Sequence, residues 1–494
     1  MKDAILAIDQ GTTSSRAVVY GMDGQLICSA QQEFTQIYPN PGWVEHDPEE
    51  IWQTVLQTIQ AAVNDARENG YEPIACGITN QRETTIIWDK NTGEPIANAI
   101  VWQDRRTATI CEKLKGKNLE AIVTSKTGLL LDPYFSATKI AWILDHVEGA
   151  RERAARGELA FGTIDSFLIW RLTNGKTHAT DATNASRTAL YDIAQGKWSD
   201  QLLQIFDVPA AILPRVMDCA ADFGTIAIEH CGITIPICGV AGDQQAAGIG
   251  QACFAVGDLK STFGTGSFLL VNTGDELLRS KHRLLGTIAY QIAGKTTYAL
   301  EGSILSAGST IQWLRDGLGI IADASECEEL ARSISDTNGV VLVPAFVGLG
   351  APYWKSEAKG ALLGLSRGSG KAEIVRAALE SVVYQTRDLT EALAKDGVQI
   401  SNIRVDGGMV RNDWLLQFLA DILNVTVERP KNIESTAIGA AGLAMLGLGF
   451  KKNLSELANI RQVDRSFAPN MNSENRKILW KRWQNAMTQV LATL

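Results

Sequence analysis

The chain has 494 residues, 45% of them apolar, which is enough to bury more than one core and, at ~100–200 residues per domain, implies two or three domains. Its 55 acidic residues against 46 basic ones leave a formal charge of -9 with no long block of either sign, which argues against nucleic acid or a membrane surface as partner. The 8 cysteines show no C-x-x-C pair and no histidines at ligand spacing, so they read as reduced thiols of a cytoplasmic protein.

From the N-terminus, MKDAILAIDQGTT breaks its apolar run at Asp9 and does not read as a signal peptide. Ala4 to Asp9 predicts a buried strand, Gly11 to Ser15 a turn, Arg16 to Tyr20 a returning strand, Met22-Asp23-Gly24 a second turn, and Gln25 to Phe34 a third strand. Asp47-Pro48-Glu49-Glu50 then predicts a capped helix start, with Asp as N-cap, Pro at N1 and Glu at N3. Ile51, Val55, Ile59 and Val63 form its apolar stripe. Residues 74–79 and 83–88 read as strands flanking Asn80-Gln81-Arg82. Asp243 ends a small apolar strand and begins an Ala-rich helix.

The opening grammar then recurs. Leu259 to Phe263 is β-prone, Gly264 to Ser267 turns, Phe268 to Asn272 returns, and Thr273-Gly274 closes. Self-similarity at so long a period points to duplication, since solenoid units are ~20–50 residues long. The boundary falls near residue 250, giving lobes over 1–250 and 251–494 of mixed α/β class. Lys371 to Leu393 predicts a long helix, Ile403 to Val405 a strand, and Asn412 or Asp413 a cap for the helix that follows. The uncharged stretch from Ser435 to Phe450 is shorter than the ~20 residues of a membrane span and reads as a buried, closely packed helix.

Glycines and hydroxyls at a tight turn let backbone N–H groups converge on a phosphate. Either hairpin alone is better read as an ordinary turn; their duplication favours phosphate. No Walker motif occurs, and no G-x-G-x-x-G opens a helix. The lone D-F-G at Asp222 to Gly224 lacks the H-R-D-x-x-x-x-N loop of a protein kinase and reads as chance. Val405-Asp406-Gly407-Gly408 lies at a strand end, where glycines let a flat ring approach the backbone or simply make a turn. Together these pieces resemble the two-lobed actin/hexokinase/heat-shock ATPase (ribonuclease H-like) superfamily, whose cleft lies between duplicated halves; that sets fold and not function.

Phosphoryl transfer needs Mg²⁺ against the phosphate charge and a base on the attacking hydroxyl. Asp9, beside the first hairpin, suits the metal, directly or through water, unless it serves only an Asx-turn. Asp243 suits the base, unless it serves only as an N-cap.

Asp9 to Arg16, Gly77 to Thr84 and Gly242 to Gln245 resemble the hallmark segments of the FGGY carbohydrate kinase family. The likeness continues through Trp43 to Pro48, Tyr134 to Lys139, Gly264 to Phe268 and Gly348 to Trp354. It implies ATP and Mg²⁺ as cofactors and a small polyol as acceptor, and the Asn80 to Glu83 segment favours glycerol over a sugar. It also implies that Arg82, Glu83, Trp102, Tyr134, Asp243, Gln244 and Phe268 line the polyol site. Thr12, Thr13, Ser14 and Arg16 would meet the phosphates with Thr265 from the second hairpin, and Gly308, Gln312, Gly408 and Asn412 the nucleoside. The expected form is a cytoplasmic homodimer or homotetramer. An actin-like filament or chaperone ATPase is the competing class. Some bacterial members are inhibited by fructose 1,6-bisphosphate at a Gly-rich loop ending in Arg; here Glu229 to Thr234 stands in that place, which predicts little inhibition, and His230 reads as a solvated loop residue. Lys355 replaces an acidic residue usual in the family, with no consequence assigned.

Overall fold

The computed structural model describes residues 1–493. Strand Lys2–Gln10 runs antiparallel to Ser14–Gly21, which pairs in turn with Leu26–Glu33, so the predicted meander forms. Alternation along the first strand loads both of its faces. Ala4, Leu6 and Ile8 join the core built on helix Pro48–Glu68, while Ile5 and Ala7 point the other way. Asp47 caps that helix by accepting from the Glu49 N–H at 2.9 Å, and Ile51, Val55, Ile59 and Val63 are fully buried. Glu50 does not reach back to the cap. It accepts instead from the backbone and side chain of Thr35, at 3.0 and 2.9 Å, which ties the helix start to the end of the meander.

Strands Tyr71–Asn80 and Ile235–Gly242 extend the sheet in parallel beyond the first strand. The second sheet repeats this plan. Leu259–Phe263, Ser267–Gly274 and Lys295–Ile304 form the antiparallel part, and Asn402–Asp406 and Thr426–Pro430 follow in parallel beside Leu259–Phe263. The expected duplication is therefore a repeat of strand order and direction. The long helix spans Lys371–Lys395, and Asn412 rather than Asp413 caps helix Asp413–Leu423.

Helix Ser435–Gly447 packs away from its neighbours in sequence. Its Ala437, Ala440, Ala441 and Ala444 lie against Ile5, Ala7, Val18, Tyr20 and Ala75 of the first sheet. The approach is backbone to backbone, because a Cβ on Gly77 would stand 2.1 Å from the Ala440 carbonyl oxygen. Helix Asp243–Gly250 shares a core with Leu270 and Ala299 of the second sheet, and it packs directly on helix Ser435–Gly447. Each half thus lends a helix to the other.

The strand expected over 83–88 starts later, at Ile86, and runs to Asp89. Glu83 has φ 60°, a left-handed conformation that breaks the extended chain. Tertiary contacts hold it there: the Ser136 hydroxyl donates to the Glu83 carbonyl at 3.0 Å, and the Glu83 carboxylate accepts from Arg187 at 2.6 Å.

Candidate active site

Each hairpin closes with a backbone hydrogen bond across its tip, over one residue more in the first than in the second. Gly11 N–H donates to the Ser14 carbonyl and Gly264 N–H to the Gly266 carbonyl, both at 2.9 Å, and the tip threonines Thr13 and Thr265 are exposed. The second hairpin is braced from behind, where Ala307 and Ser309 N–H groups donate to the Thr265 carbonyl at 3.0 Å. A Cβ on Gly308 would lie 2.5 Å from the Gly264 oxygen, so this contact requires glycine. Gln312 stands exposed at the end of the short helix Gly308–Gln312. Gly407, at φ 90°, lies against Phe263, while Gly408 has nothing within 4 Å of its would-be Cβ and offers bare backbone to a flat ring. Asn412 spends its side-chain oxygen on the Leu415 N–H at 2.9 Å.

Trp102 joins the two hairpins. Its indole N–H donates to the Thr12 hydroxyl at 3.0 Å, and its ring meets Tyr134 and Phe268 edge-on, with centroids 5.6 and 6.0 Å apart. Phe268 directly follows the second hairpin, so one indole spans from the first turn to the second. Three aromatic faces meeting in this way make an apolar wall that suits the carbon chain of a polyol.

Beside that wall lies a cluster of charges. Arg82 is only 2% exposed and pairs through Nε with Asp243 Oδ1 at 2.9 Å and through Nη1 with Glu301 Oε2 at 2.5 Å. Asp243 is the first residue of its helix and follows the capping Gly242, so it is not the N-cap. Its side chain keeps 33% exposure, and it is the member of the cluster open to a ligand. Gln244 accepts from the Lys260 ammonium, which also donates to the Thr262 hydroxyl at 2.9 Å. Burial pushes Lys260 down, against the pull of Asp406 and Asp243. Burial pushes the Glu83 carboxyl up even against Arg187 and Arg82. Glu301 is equally buried but gripped by two guanidiniums, which outweigh burial and hold it below its ordinary value.

Asp9 lies within the first strand, opposite Arg16, and not in an Asx-turn. Burial raises its carboxyl to about 7; Arg16 opposes the rise, and Glu434 and Asp243 add to it. Asp9 on the first strand and Asp243 just after the strand Ile235–Gly242 belong to the same sheet end, and negative charge gathered there suits a divalent cation. Among the described residues no group of three or more His, Cys, Asp and Glu could hold a metal, so the protein alone offers Mg²⁺ no closed ligand set, and a lone carboxylate such as Asp9 is chemically compatible with Mg²⁺ carried mainly by phosphates. Arg16 does not point freely at a phosphate: it pairs with Glu434 of the second half and donates to Gln31 at 2.9 and 3.1 Å.

The sequence reading missed Arg187, Glu301 and Lys260. A charged residue inside the apolar run Ala299 to Ile304, or between Leu259 and Phe263, was the available signal. Two cavities of about 630 and 310 Å³ lie elsewhere. One is flanked by helices Lys371–Lys395 and Ser473–Leu491, the other by Trp52 and His230. His230 is half-buried there, its ring edge-on to Trp52 and its Nε2 3.0 Å from the Asn174 oxygen, so it is not a freely solvated loop residue.

Comparison with known proteins agrees with this geometry. Residues 4–250 match the N-terminal domain, and 259–448 the C-terminal domain, of the FGGY family of carbohydrate kinases. A protein named glycerol kinase from Alteromonas mediterranea is 56% identical over 491 residues, covering 99% of each chain. Glycerol kinase 1 of Pseudomonas aeruginosa is 55% identical over 490 residues, again covering 99% of each. The crystal structure of Plasmodium falciparum glycerol kinase with ADP superposes with a TM-score of 0.93 at 37% identity, covering 99% of this chain and 98% of that one. The duplicated lobes are of the actin/hexokinase type. Fold, paired hairpins and sequence likeness over both halves agree: the chain belongs to the FGGY family of carbohydrate kinases.

Proposed function

We propose that the chain transfers the γ-phosphoryl group of ATP to a terminal hydroxyl of glycerol, giving sn-glycerol 3-phosphate and ADP, with Asp243 as the base. Whole-length likeness to glycerol kinases supports the substrate. The observation that carries the mechanism is a partly exposed Asp243 carboxylate, pinned by Arg82, near the Trp102, Tyr134 and Phe268 rings. The rings cover the glycerol carbons, while Arg82, Glu83 and Gln244 bracket its hydroxyls. As the hydroxyl oxygen bonds to the γ-phosphorus and the bridging bond to the β-phosphate breaks, Asp243 takes the hydroxyl proton. Thr12, Thr13, Ser14 and Arg16 on one side and Thr265 on the other supply preorganised donors to the phosphates. Arg16 exchanges Glu434 for phosphate when nucleotide enters. Gly308, Gln312, Gly408 and Asn412 receive the nucleoside. Asp9 would help to hold Mg²⁺, which would offset the phosphate charge when bound. Residues 1–250 carry the polyol site and first hairpin, and 251–494 the second hairpin and nucleoside site. The working form is a cytoplasmic homodimer or homotetramer.

The test is ADP release with Mg·ATP across glycerol, dihydroxyacetone, xylulose and gluconate. Preference for a sugar would overturn the substrate. Asp243→Asn should lower kcat by ~10²–10⁴-fold, the range for loss of a general base. A folded Asp243→Asn enzyme with near-parental turnover would remove the base assignment.

A further inference from the structure

We propose that Arg187 and Glu301 are positioning residues that aim Asp243 through Arg82, as the inner links of one chain of alternating charge: Glu83, Arg187, Glu301, Arg82, Asp243. The inference rests on the reading of Asp243 as the base. Every link is a direct contact. Arg187 Nε meets Glu83 Oε1 at 2.6 Å, and Arg187 Nη2 meets Glu301 Oε1 at 2.9 Å. Glu301 Oε2 meets Arg82 Nη1 at 2.5 Å, and Arg82 Nε meets Asp243 Oδ1 at 2.9 Å. Exposure rises only at the end of the series: Arg187 and Glu301 are fully buried, Glu83 and Arg82 are 2% exposed, and Asp243 is 33% exposed. Glu83, Arg82 and Asp243 are the members assigned to the substrate, whereas Arg187 and Glu301 are not.

A chain of this kind is a poor device for stability, because desolvation of buried charges offsets most of their attraction. It is a good device for orientation. Each oxygen of Glu301 takes a different guanidinium, so neither arginine can rotate without leaving a buried charge unpaired. Arg187 Nη1 has no hydrogen-bond partner; the Tyr134 and Phe135 rings, 5.6 and 5.4 Å from the guanidinium carbon, stand in its place and tie the aromatic wall to the chain. Glu301 lies on strand Lys295–Ile304 of the second half, hydrogen-bonded on both sides, whereas the other four residues belong to the first. The direction of the base is therefore set by a residue of the opposite lobe.

Glu301→Gln in the full-length enzyme tests this, since it keeps the shape and removes the charge. The expected result is a kcat loss on the order of 10²-fold, the cost of ångström-scale misplacement of a catalytic group, with KM for ATP unchanged within ~2-fold. A crystal structure of the variant should show Arg82 Nε withdrawn from Asp243. In the Asp243→Asn background the same change should add less than ~3-fold, because both act on one step. An unchanged kcat, full additivity with Asp243→Asn, or a lower unfolding midpoint with parental kcat would each overturn the proposal. If Glu301→Gln fails to fold, the paired Glu301→Gln/Arg187→Gln variant removes one charge of each sign and is read by the same criteria. If the parent enzyme prefers another polyol, the glycerol reading falls, and the same measurements on that polyol still decide the role of Glu301.

Discussion

Replacing Gly439 by alanine tests whether the helix that begins with Asp243 is held in place by close packing. A Cβ at 439 would stand 1.8 Å from the Ala246 carbonyl oxygen and 2.6 Å from the Ala246 carbonyl carbon, both backbone atoms that cannot rotate away. Ordinary contact begins at 3.4 Å, so helices Asp243–Gly250 and Ser435–Gly447 must separate by about 1.6 Å along that line. Overpacking of this kind costs ~1–3 kcal/mol. A shift above ~1 Å at a helix carrying the base costs on the order of 10²-fold in rate. The assay is steady-state phosphorylation of glycerol beside urea unfolding. Gly442→Ala on the same helix is the control, because its Cβ would meet only the flexible side chain of Leu457, at 2.7 Å, and the expected loss is far smaller. Parental kcat and stability in Gly439→Ala, or equal losses in the two variants, would refute the claim that this backbone contact positions Asp243.

Trp102→Phe keeps an aromatic ring but loses the N–H that bonds Thr12, so kcat/KM should fall about 5-fold, corresponding to ~1 kcal/mol for one hydrogen bond; an unchanged kcat/KM for both substrates would mean that the indole does not join the hairpins functionally. His46 is fully buried, and burial lowers its imidazole from 6.5 to about 4. The unfolded chain then binds more protons than the native one between those values, so stability is complete above pH 6.5 and lost as pH falls toward 4. The loss at pH 5 should be about 2 kcal/mol. Urea unfolding of His46→Gln should show a shallower fall between pH 7 and 5, with His178, also lowered to about 4 by burial, keeping its own share; an unchanged slope would contradict the assignment.

The parts legible in the sequence are those that local rules dictate. The short apolar run of Ala4 to Ile8, the Asp47-Pro48 start and the glycine turns at 11 and 264 depend on near neighbours, and they formed as read. Of the strand expected over 83–88, Glu83 to Thr85 failed because β-branched residues predict extension while Glu83, paired with the buried Arg187, takes a left-handed conformation. Glu301 and Lys260 announced themselves only as charges among apolar neighbours. Their partners, Arg82 and Gln244, come from the other sheet and the lent helix, and no local rule connects them.

Duplication also explains why the fold was easier to read than the chemistry. In the first hairpin Gln10 pairs with Ser15 and Asp9 with Arg16; in the second Phe263 pairs with Ser267 and Thr262 with Phe268. The first turn is one residue longer than the second, and a charged pair beside one closing pair corresponds to a hydroxyl and an aromatic ring beside the other. The backbone plan recurs while the side chains differ, with the Asp9–Arg16 pair in one half and the Phe268 ring in the other. The helices that follow the last parallel strand of each sheet, Asp243–Gly250 and Ser435–Gly447, are likewise equivalent, and they pack on each other through Gly250 against Ser435 and Gly439 against Ala246. Asp243, the proposed base, therefore sits on the helix that joins the two sheets, and it is tied to the second half twice, by the Gly439–Ala246 helix contact and, through Arg82, by the Glu301 carboxylate.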